Sequence, residues 1–320
     1  TTALLRQGLQ AEIAGVDTSP PRSRRRARLA GRRTKKGALV GFHGPRSHTI
    51  VPVPECQVLT PGLVRLLPAL EALTGRLASR KGEIGFALIE TRNGPDLMIE
   101  GGKSLDGPLR AELAEFAAVH GLARLSHGDE PLVTRLPPVQ RFGPVEVAPP
   151  PGAFLQATAE GEATLVSHVL ESLGAARRVV DLFAGCGTFA LPMAQSAEVH
   201  AVDSQGPMLA ALDAGWRHGS GLKRVTTTRR DLFRDPLRAE ELTPFGGAVV
   251  DPPRAGARAQ VAQLAASALP RIAMVSCNPV TFALDARQLI DAGYAMGPIT
   301  VVDQFRWSTH VELVSAFTRL

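Results

Sequence analysis

The 320-residue sequence holds only three cysteines, Cys56, Cys186 and Cys277. Their odd number and wide spacing exclude a disulfide framework, and a reducing, cytosolic setting is expected instead. No ligand spacing in the chain suits zinc. No apolar run reaches the roughly 18 residues that a membrane-spanning helix needs, so no membrane contact is expected. The opening stretch, TTALLRQGLQAEIAG, lacks a basic segment followed by a long apolar one, which argues against a signal peptide. An initiating Met is also lacking, and the sequence reads as a fragment or a trimmed chain. Internal repeats and low-complexity tracts are not evident. Hydrophobic residues make up 44%, which excludes a disordered or fibrous protein, and the length allows two domains with sizeable cores.

Acidic residues are missing from one region. Between Arg22 and Lys36 stand nine basic residues (Arg22, Arg24, Arg25, Arg26, Arg28, Arg32, Arg33, Lys35, Lys36) and no Asp or Glu, in a chain whose formal net charge is only +6. Such a block repels itself unless a polyanion is near, which points to nucleic acid as partner. A solvated basic surface is the plainer alternative. No obligate protein partner is evident.

The two halves differ in texture. Residues 1–150 are rich in Arg, Pro and Gly and read as short strands with two helices: a basic hairpin over residues 22–42, a helix over 60–79, a second hairpin turning at Asn93-Gly94, a helix ending near Gly121, and strands near 122–127 and 143–148. The run Pro149-Pro150-Pro151-Gly152 marks the expected boundary. Over residues 151–320, apolar strands RRVVDLF, EVHAVD, RVTTTRRD, GGAVVD and RIAMVSC alternate with helices, and ITVVD and HVELVSAF follow. That alternation predicts an α/β fold with a mostly parallel, doubly wound sheet, whose ligands bind at the carboxyl ends of the strands. The polar residues at those ends are Asp181 with the loop after it, Asp203, Asp231, Asp251 and Cys277.

Four segments carry candidate chemistry. Asp181-Leu182-Phe183-Ala184-Gly185-Cys186-Gly187-Thr188 follows a strand and opens a helix; its glycines let the backbone approach a ligand, and Asp203 after the next strand suits ribose hydroxyls. A nicotinamide dinucleotide site shares this logic, with Ala190 in the place of its third glycine, and a strand-to-helix turn without ligand is also open. Asp251-Pro252-Pro253-Arg254 ends a buried strand, where two prolines stiffen the chain and hold a carboxylate toward a flat polar ligand; a plain loop reads the same way. Ser276-Cys277-Asn278-Pro279 ends the fifth strand. Free cysteines are more often buried and inert, but a place beside a helix amino end is expected to lower the thiol pKa. In Thr309-His310-Val311-Glu312, Glu312 interrupts an apolar stretch: inward on a central strand it must be used or paired, whereas on an edge strand it would face solvent. His310 reads as a structural hydrogen-bonding residue. Cys56, in Pro-Val-Pro-Glu-Cys-Gln, reads as an ordinary buried thiol.

Together, RRRARLAG, Gly152-Ala153-Phe154-Leu155-Gln156, DLFAGCGTFALPMA, DPPRAG, SCNP and the final His-Val-Glu resemble the bacterial RNA uracil-5-methyltransferases, from about residue 22 to the end. The likeness is stronger to the 23S rRNA branch than to the tRNA T-loop branch. It implies a class I, Rossmann-like S-adenosylmethionine-dependent sheet with a smaller α+β amino-terminal domain, acting in the cytoplasm on structured RNA. By this resemblance Cys277 is the nucleophile and Glu312 removes the carbon-5 proton. Gln156, Phe183, Gly185, Gly187, Thr188, Asp203, Asp231 and Asp251 line the donor and target-base pocket. Thr188 stands where the family commonly has Asn, and Arg306 replaces the proline of an Asp-x-Phe-Pro segment, beside Trp307, which suits stacking on RNA. The resemblance also implies an OB-type domain upstream and a 4Fe-4S cluster in a full-length parent, with Cys56 as the fourth ligand and three further cysteines before Thr1; one thiolate cannot hold a cluster. Competing readings are a nicotinamide-dependent oxidoreductase, a non-catalytic RNA-binding remnant and a cytosine methyltransferase.

Overall fold

The computed structural model describes residues 2–44 and 47–320. Two compact units interleave along the chain: one comprises the stretch ending at Ser19, Arg141–Val147 and Glu160–Leu320, and the other comprises Pro20–Gln140 and Ala148–Ala159. The first unit opens with α1 (Thr2–Arg6) and β1 (Ile13–Thr18). No helix among the described residues is long and apolar enough to cross a membrane.

The nested unit is α+β. Its elements are β2 (Arg26–Thr34), β3 (Gly37–His43), β4 (Ile50–Pro52), α2 (Pro61–Leu77), β5 (Glu83–Thr91), β6 (Gly94–Glu100), α3 (Gly107–Val119), β7 (Arg124–His127) and β8 (Glu130–Thr134). The strands form one sheet in the order β4-β3-β2-β5-β6-β7-β8. Both hairpins expected from the sequence are present, each closing as a two-residue turn; the first is Lys35-Lys36, and the second is Arg92-Asn93, one residue before the Asn93-Gly94 expected, with Gly94 already paired to Thr91. Gly94 follows the second turn at φ 119°, and a Cβ there would meet the Gly121 carbonyl oxygen at 2.5 Å, so only glycine fits. Helix α2 covers the sheet because its leucines recur at helical spacing: Leu63, Leu66, Leu67, Leu70, Leu73 and Leu77 are all buried. Strand β8 has no apolar alternation strong enough to announce it; its side chains are half-buried or exposed.

The core of this unit also holds an ion pair. Arg124 and Asp96 are register partners on the parallel strands β7 and β6, and both are buried. Arg124 donates from Nε and Nη2 to the two Asp96 oxygens at 2.9 and 2.6 Å, and from Nη2 to the Pro149 carbonyl at 2.8 Å. The last bond explains why the proline run, expected to mark a boundary, belongs to this unit: its carbonyl satisfies a buried guanidinium.

The other unit is α/β. After β9 (Gln140–Phe142), β10 (Val145–Val147) and α4 (Ala159–Leu173) come β11 (Arg178–Leu182), α5 (Ala190–Met193), β12 (Glu198–Asp203), α6 (Gly206–His218), β13 (Val225–Arg229), α7 (Ala239–Leu242), β14 (Gly247–Val250), α8 (Arg258–Ala266) and β15 (Arg271–Ser276). The chain ends with α9 (Pro279–Asp291), β16 (Tyr294–Met296), β17 (Ile299–Asp303) and β18 (Glu312–Arg319). The sheet order is β1-β17-β18-β15-β14-β11-β12-β13, with β16 also paired to β18. Strands β11 to β15 are mutually parallel, and β18 runs antiparallel between β15 and β17. The order reverses at β11, flanked by β12 and β14, which is where such sheets hold ligands. Strand β1 extends the sheet by pairing with β17. Sequence patterning misses it, because nearly all its side chains are exposed and its partner lies at the far end of the chain.

Removing one partner from a buried ion pair leaves an uncompensated charge, which costs about 3–5 kcal/mol. Asp96→Ala is therefore expected to lower the urea midpoint of the nested unit by an amount equivalent to that loss. The double variant Asp96→Leu/Arg124→Met should recover most of it. Unchanged urea midpoints in Asp96→Ala would show that the pair carries no such weight.

Candidate active site

The α/β unit gathers most of the candidate residues at the carboxyl ends of adjacent strands. Leu182 ends β11, and the turn after it is sharp. Phe183 adopts φ 66°, Gly185 φ 53° and Gly187 φ 92°. The Phe183 and Ala184 amides both donate to the Val202 carbonyl, at 2.9 and 3.1 Å, which binds the turn to the end of β12. A Cβ on Gly187 would sit 2.8 Å from Leu212 Cγ, so glycine there lets α6 pack under the loop. Phe183 is a non-glycine residue in the left-handed region, a strained conformation that clusters at ligand sites. Its ring packs on that of Phe233 at 5.4 Å between centroids and 55° between planes. Phe233, half-exposed, was not singled out from sequence; the only signal was an aromatic two residues after a strand-end aspartate. Thr188 is half-buried in the same turn.

Asp203 ends β12 and is held by two backbone amides: Gly185 N–H donates to Oδ2 at 3.0 Å and Gln205 N–H to Oδ1 at 2.8 Å. Each oxygen keeps a lone pair, so the carboxylate can still accept from ligand hydroxyls. Asp231, just past β13, accepts from the Phe233 amide at 3.0 Å and lies 3.6 Å from Arg234 Nε.

Asp181 differs from these. It is fully buried within β11, and among the described residues no group meets its carboxyl oxygens in full hydrogen-bond geometry, the Ala190 amide only approaching them. Burial pushes its pKa well above the usual carboxylate range; Asp251 and Asp203 add to the rise, and the Ala190 amide opposes it. Burial thus favours the uncharged form of this carboxyl. Cys186 is buried, its thiol in contact with the Met208 sulfur at 3.2 Å, and burial together with Asp203 pushes it up to about 12.

Asp251 follows β14, its amide donating to the Leu182 carbonyl at 3.3 Å. Burial raises its pKa to about 7. Cys277 follows β15 and is half-buried. The turn around it is fixed: Asn278 caps α9 by accepting from the Val280 amide at 3.0 Å, and its Nδ2 donates to the Arg254 carbonyl at 2.9 Å. One side chain thus ties the Asp251-Pro252-Pro253-Arg254 loop to the thiol's own turn. Glu312 opens β18, which is central rather than an edge strand, and is only 4% exposed. Register places Leu313 opposite Ser276, so Glu312 and Cys277 leave the sheet side by side.

The lowered thiol pKa expected from the helix amino end is not found. Burial, then Glu312, then Asp251 push Cys277 up to about 11, and Arg254 opposes them. A thiol among carboxylates gains no thiolate character from a neighbouring cap. Arg254, present in the sequence motif but given no role there, is the nearby cation that counters this field.

Gln156 and Cys56 belong to the nested unit. Gln156 is buried, and its carbonyl accepts from Arg25 Nε at 3.3 Å. Cys56 accepts from the Leu59 amide at 3.4 Å and lines a cleft of about 330 Å³ with Arg22, Glu55, Gln57 and Arg65. Among the described residues no group of three or more His, Cys, Asp or Glu is placed to hold a metal, so the residues of this chain do not by themselves fit an iron–sulfur cluster.

The basic hairpin divides into two parts. Arg24 lies over the Phe42 ring and Arg26 over Phe154, at 5.6 and 4.4 Å. Arg25 reaches Gln140 as well as Gln156, and Arg28 and Arg32 pair with Glu100 and Glu83. These side chains are engaged within the nested unit. Lys35 and Lys36 are exposed and Arg33 half-exposed at the hairpin tip.

Comparison with known proteins agrees with this geometry. The profile of the tRNA (uracil-5-)-methyltransferase family matches residues 225–319. The chain is 45% identical over 317 residues to an uncharacterized RNA methyltransferase of Brucella suis, covering 99% of this chain and 76% of that protein. It is 32% identical to the 23S rRNA (uracil(1939)-C(5))-methyltransferase RlmD of Shewanella woodyi, over 92% of this chain and 69% of that protein. Among solved structures, the tRNA (uracil-54, C5)-methyltransferase of Pyrococcus abyssi, in complex with S-adenosyl-L-homocysteine, superposes with a TM-score of 0.71 at 22% identity, covering 99% of this chain and 81% of that one. The α/β unit is a class I S-adenosylmethionine-dependent methyltransferase fold, and the chain belongs to the RNA (uracil-5-)-methyltransferase family.

Proposed function

We propose that this protein methylates carbon 5 of a uridine in structured 23S rRNA in the cytoplasm, with Cys277 as nucleophile and Glu312 as the base that removes the carbon-5 proton. The observation that carries the reading is the pairing of Cys277 with a buried Glu312 on the neighbouring strand, close enough for the carboxylate to raise the thiol pKa. The rRNA assignment leans on the relative named RlmD. The matching family profile carries a tRNA name, which favours the T-loop of tRNA as the second reading.

Carbon 5 of uracil is a poor nucleophile. Addition of the Cys277 thiolate to carbon 6 forms a carbon–sulfur bond and moves the ring's electrons into an enolate, which makes carbon 5 nucleophilic. The donor supplies, when bound, a methyl group on a cationic sulfur, and that charge favours a nearby thiolate. Carbon 5 would bond that methyl as the methyl–sulfur bond breaks, leaving the donor as a neutral thioether; Glu312 then takes the proton from the methylated carbon 5, the carbon 5–carbon 6 double bond re-forms, and Cys277 leaves as thiolate. We assign the donor to the turn from Phe183 to Thr188 with Asp203 and Asp231. Support comes from the left-handed backbone of that turn, the remaining acceptor capacity of Asp203 and the Phe183–Phe233 face, which suits a flat purine. Asp251 is assigned to the target base: near pH 7 it can donate or accept a hydrogen bond. The uridine must be unpaired or flipped out to reach the thiol, and Arg33, Lys35 and Lys36 at the hairpin tip are assigned to phosphates. Cys56 becomes a cluster ligand only if three more cysteines come from outside these 320 residues.

Cys277→Ala is expected to lower methylation by about 10³-fold or more while donor binding, followed by calorimetry, persists. Glu312→Gln should accumulate a protein–RNA adduct that survives denaturing electrophoresis, since release needs proton loss. A Cys277→Ala enzyme at full activity sinks the mechanism, and preferential labelling of tRNA over a 23S rRNA fragment sinks the substrate assignment.

The raised thiol pKa has its own consequence. With Cys277 at about 11, the thiolate is roughly a thousandth of the population at pH 8. Alkylation of Cys277 by iodoacetamide, followed by peptide mass spectrometry, should speed up about tenfold per pH unit between pH 8 and 10. Glu312→Gln removes a negative neighbour, lowers the pKa and should raise the rate at pH 8. A rate already level at pH 8 in the parent would contradict this electrostatic account.

A further inference from the structure

Trp307 combines three properties that rarely coincide. It is 69% exposed, although tryptophan is among the largest apolar side chains. Its backbone lies at φ 65°, in the left-handed region that bulky residues avoid. It sits in the eight-residue connection, 304–311, between the end of β17 and Glu312 at the start of β18.

The connection is tied down on both sides of the tryptophan. The Ser19 amide donates to the Asp303 carbonyl at 2.9 Å, and Arg306 Nε donates to the Ser19 carbonyl at 3.0 Å, so the residue that follows β1 clamps the base of the loop. The Phe305 amide donates to Asp303 Oδ1 at 3.0 Å, the Ser308 amide to the Phe305 carbonyl at 2.9 Å, and the His310 amide to Ser308 Oγ at 2.9 Å. The Phe305 and His310 rings meet edge-on at 6.1 Å. The Arg306 guanidinium lies 5.9 Å from the Trp307 ring centroid. The loop therefore spends its internal bonds on holding the indole outward beside a positive charge. An indole held in this way costs little entropy when a flat partner arrives.

We propose that Trp307 is a stacking platform for an unpaired nucleobase of the RNA substrate, with Arg306 beside it to meet the adjoining phosphate. The inference rests on the RNA methyltransferase reading above and extends it: the target nucleotide must leave its helix, and single-stranded bases are held by aromatic faces with cations alongside. Trp307 is a binding and positioning residue; the chemistry belongs to Cys277 and Glu312.

The chain has two tryptophans, and the other, Trp216, is engaged by its Nε1, which donates to the Lys223 carbonyl at 3.0 Å. A Trp216→Phe protein therefore reports on Trp307 alone; if that variant does not fold, the difference between the parent and Trp307→Phe gives the same signal. Hexauridylate should quench the Trp307 fluorescence saturably, and an abasic phosphodiester of equal length and charge should not. Trp307→Ala should raise the KM for RNA about 5- to 150-fold, with the loss falling on KM rather than kcat and the KM for the donor unmoved. Trp307→Phe, which keeps an aromatic face, should restore most of the RNA affinity. Quenching by the abasic strand equal to that by hexauridylate overturns the proposal. So does an unaltered RNA KM in Trp307→Ala, or a Phe variant as weak as the Ala variant. If no RNA is methylated at all, the functional reading falls, and the quenching comparison still decides the role of Trp307.

Discussion

Negative charge crowded around one thiol is the condition on which this site turns. Asp181, Asp251 and Glu312 all come from the central strands or their ends, and Asp203 stands one strand away. Carboxylates gathered in this way resist ionising together, and burial adds to that resistance: the pKa of Asp181 is pushed well up and that of Asp251 is raised to about 7. What remains charged still opposes the Cys277 thiolate. The Cys277 thiol therefore stays almost wholly protonated at neutral pH. A cationic donor and a base with polar edges would relieve that field, so on the proposed chemistry the thiol becomes reactive when both are in place and is protected from stray oxidation otherwise.

Such a balance works only if the charges cannot drift apart. The backbone holds them. Two prolines stiffen the exit of β14, the Asn278 side chain joins that exit to the turn after β15, and Glu312 starts a strand paired on both sides. Asp203 is gripped by two amides, one of them from the turn it faces. These bonds are all local to strand ends, and the sheet behind them is packed with Val180, Leu182, Val250, Met274 and their neighbours at essentially no exposure. A well-packed sheet moves little, and the polar fringe inherits its precision.

How much of this the linear sequence disclosed depends on whether the cause was local. Strands β11 to β15 and β17 were legible nearly to the residue, because apolar runs bounded by turn residues have one sensible reading. The placement of Asp203, Asp251, Cys277 and Glu312 followed from that alternation. Glu312 left two readings open, solvent edge or buried centre, and only the pairing of β18 on both sides decides between them. The pKa of Cys277 was misjudged for the same reason: the helix cap is its sequence neighbour, but the carboxylates that govern it come from other strands. Strand β1 escaped notice because it buries little of its own surface and borrows its order from β17.

The basic stretch near the start gives the same lesson in charge. Taken as a string, nine cations in fifteen positions suggest one uniform polyanion surface. Folded, Arg24, Arg25 and Arg26 lie on rings, carbonyls and an amide, and Arg28 and Arg32 meet carboxylates at the ends of β6 and β5. Guanidinium groups suit this because they stack on rings and donate in several directions at once. Both lysines fall at the turn, Lys35 and Lys36, where an ammonium on a long stem stays hydrated and free to meet phosphates. The division of labour within the run thus follows side-chain chemistry: most of the arginines are engaged within the nested unit, and the tip with its lysines is left exposed.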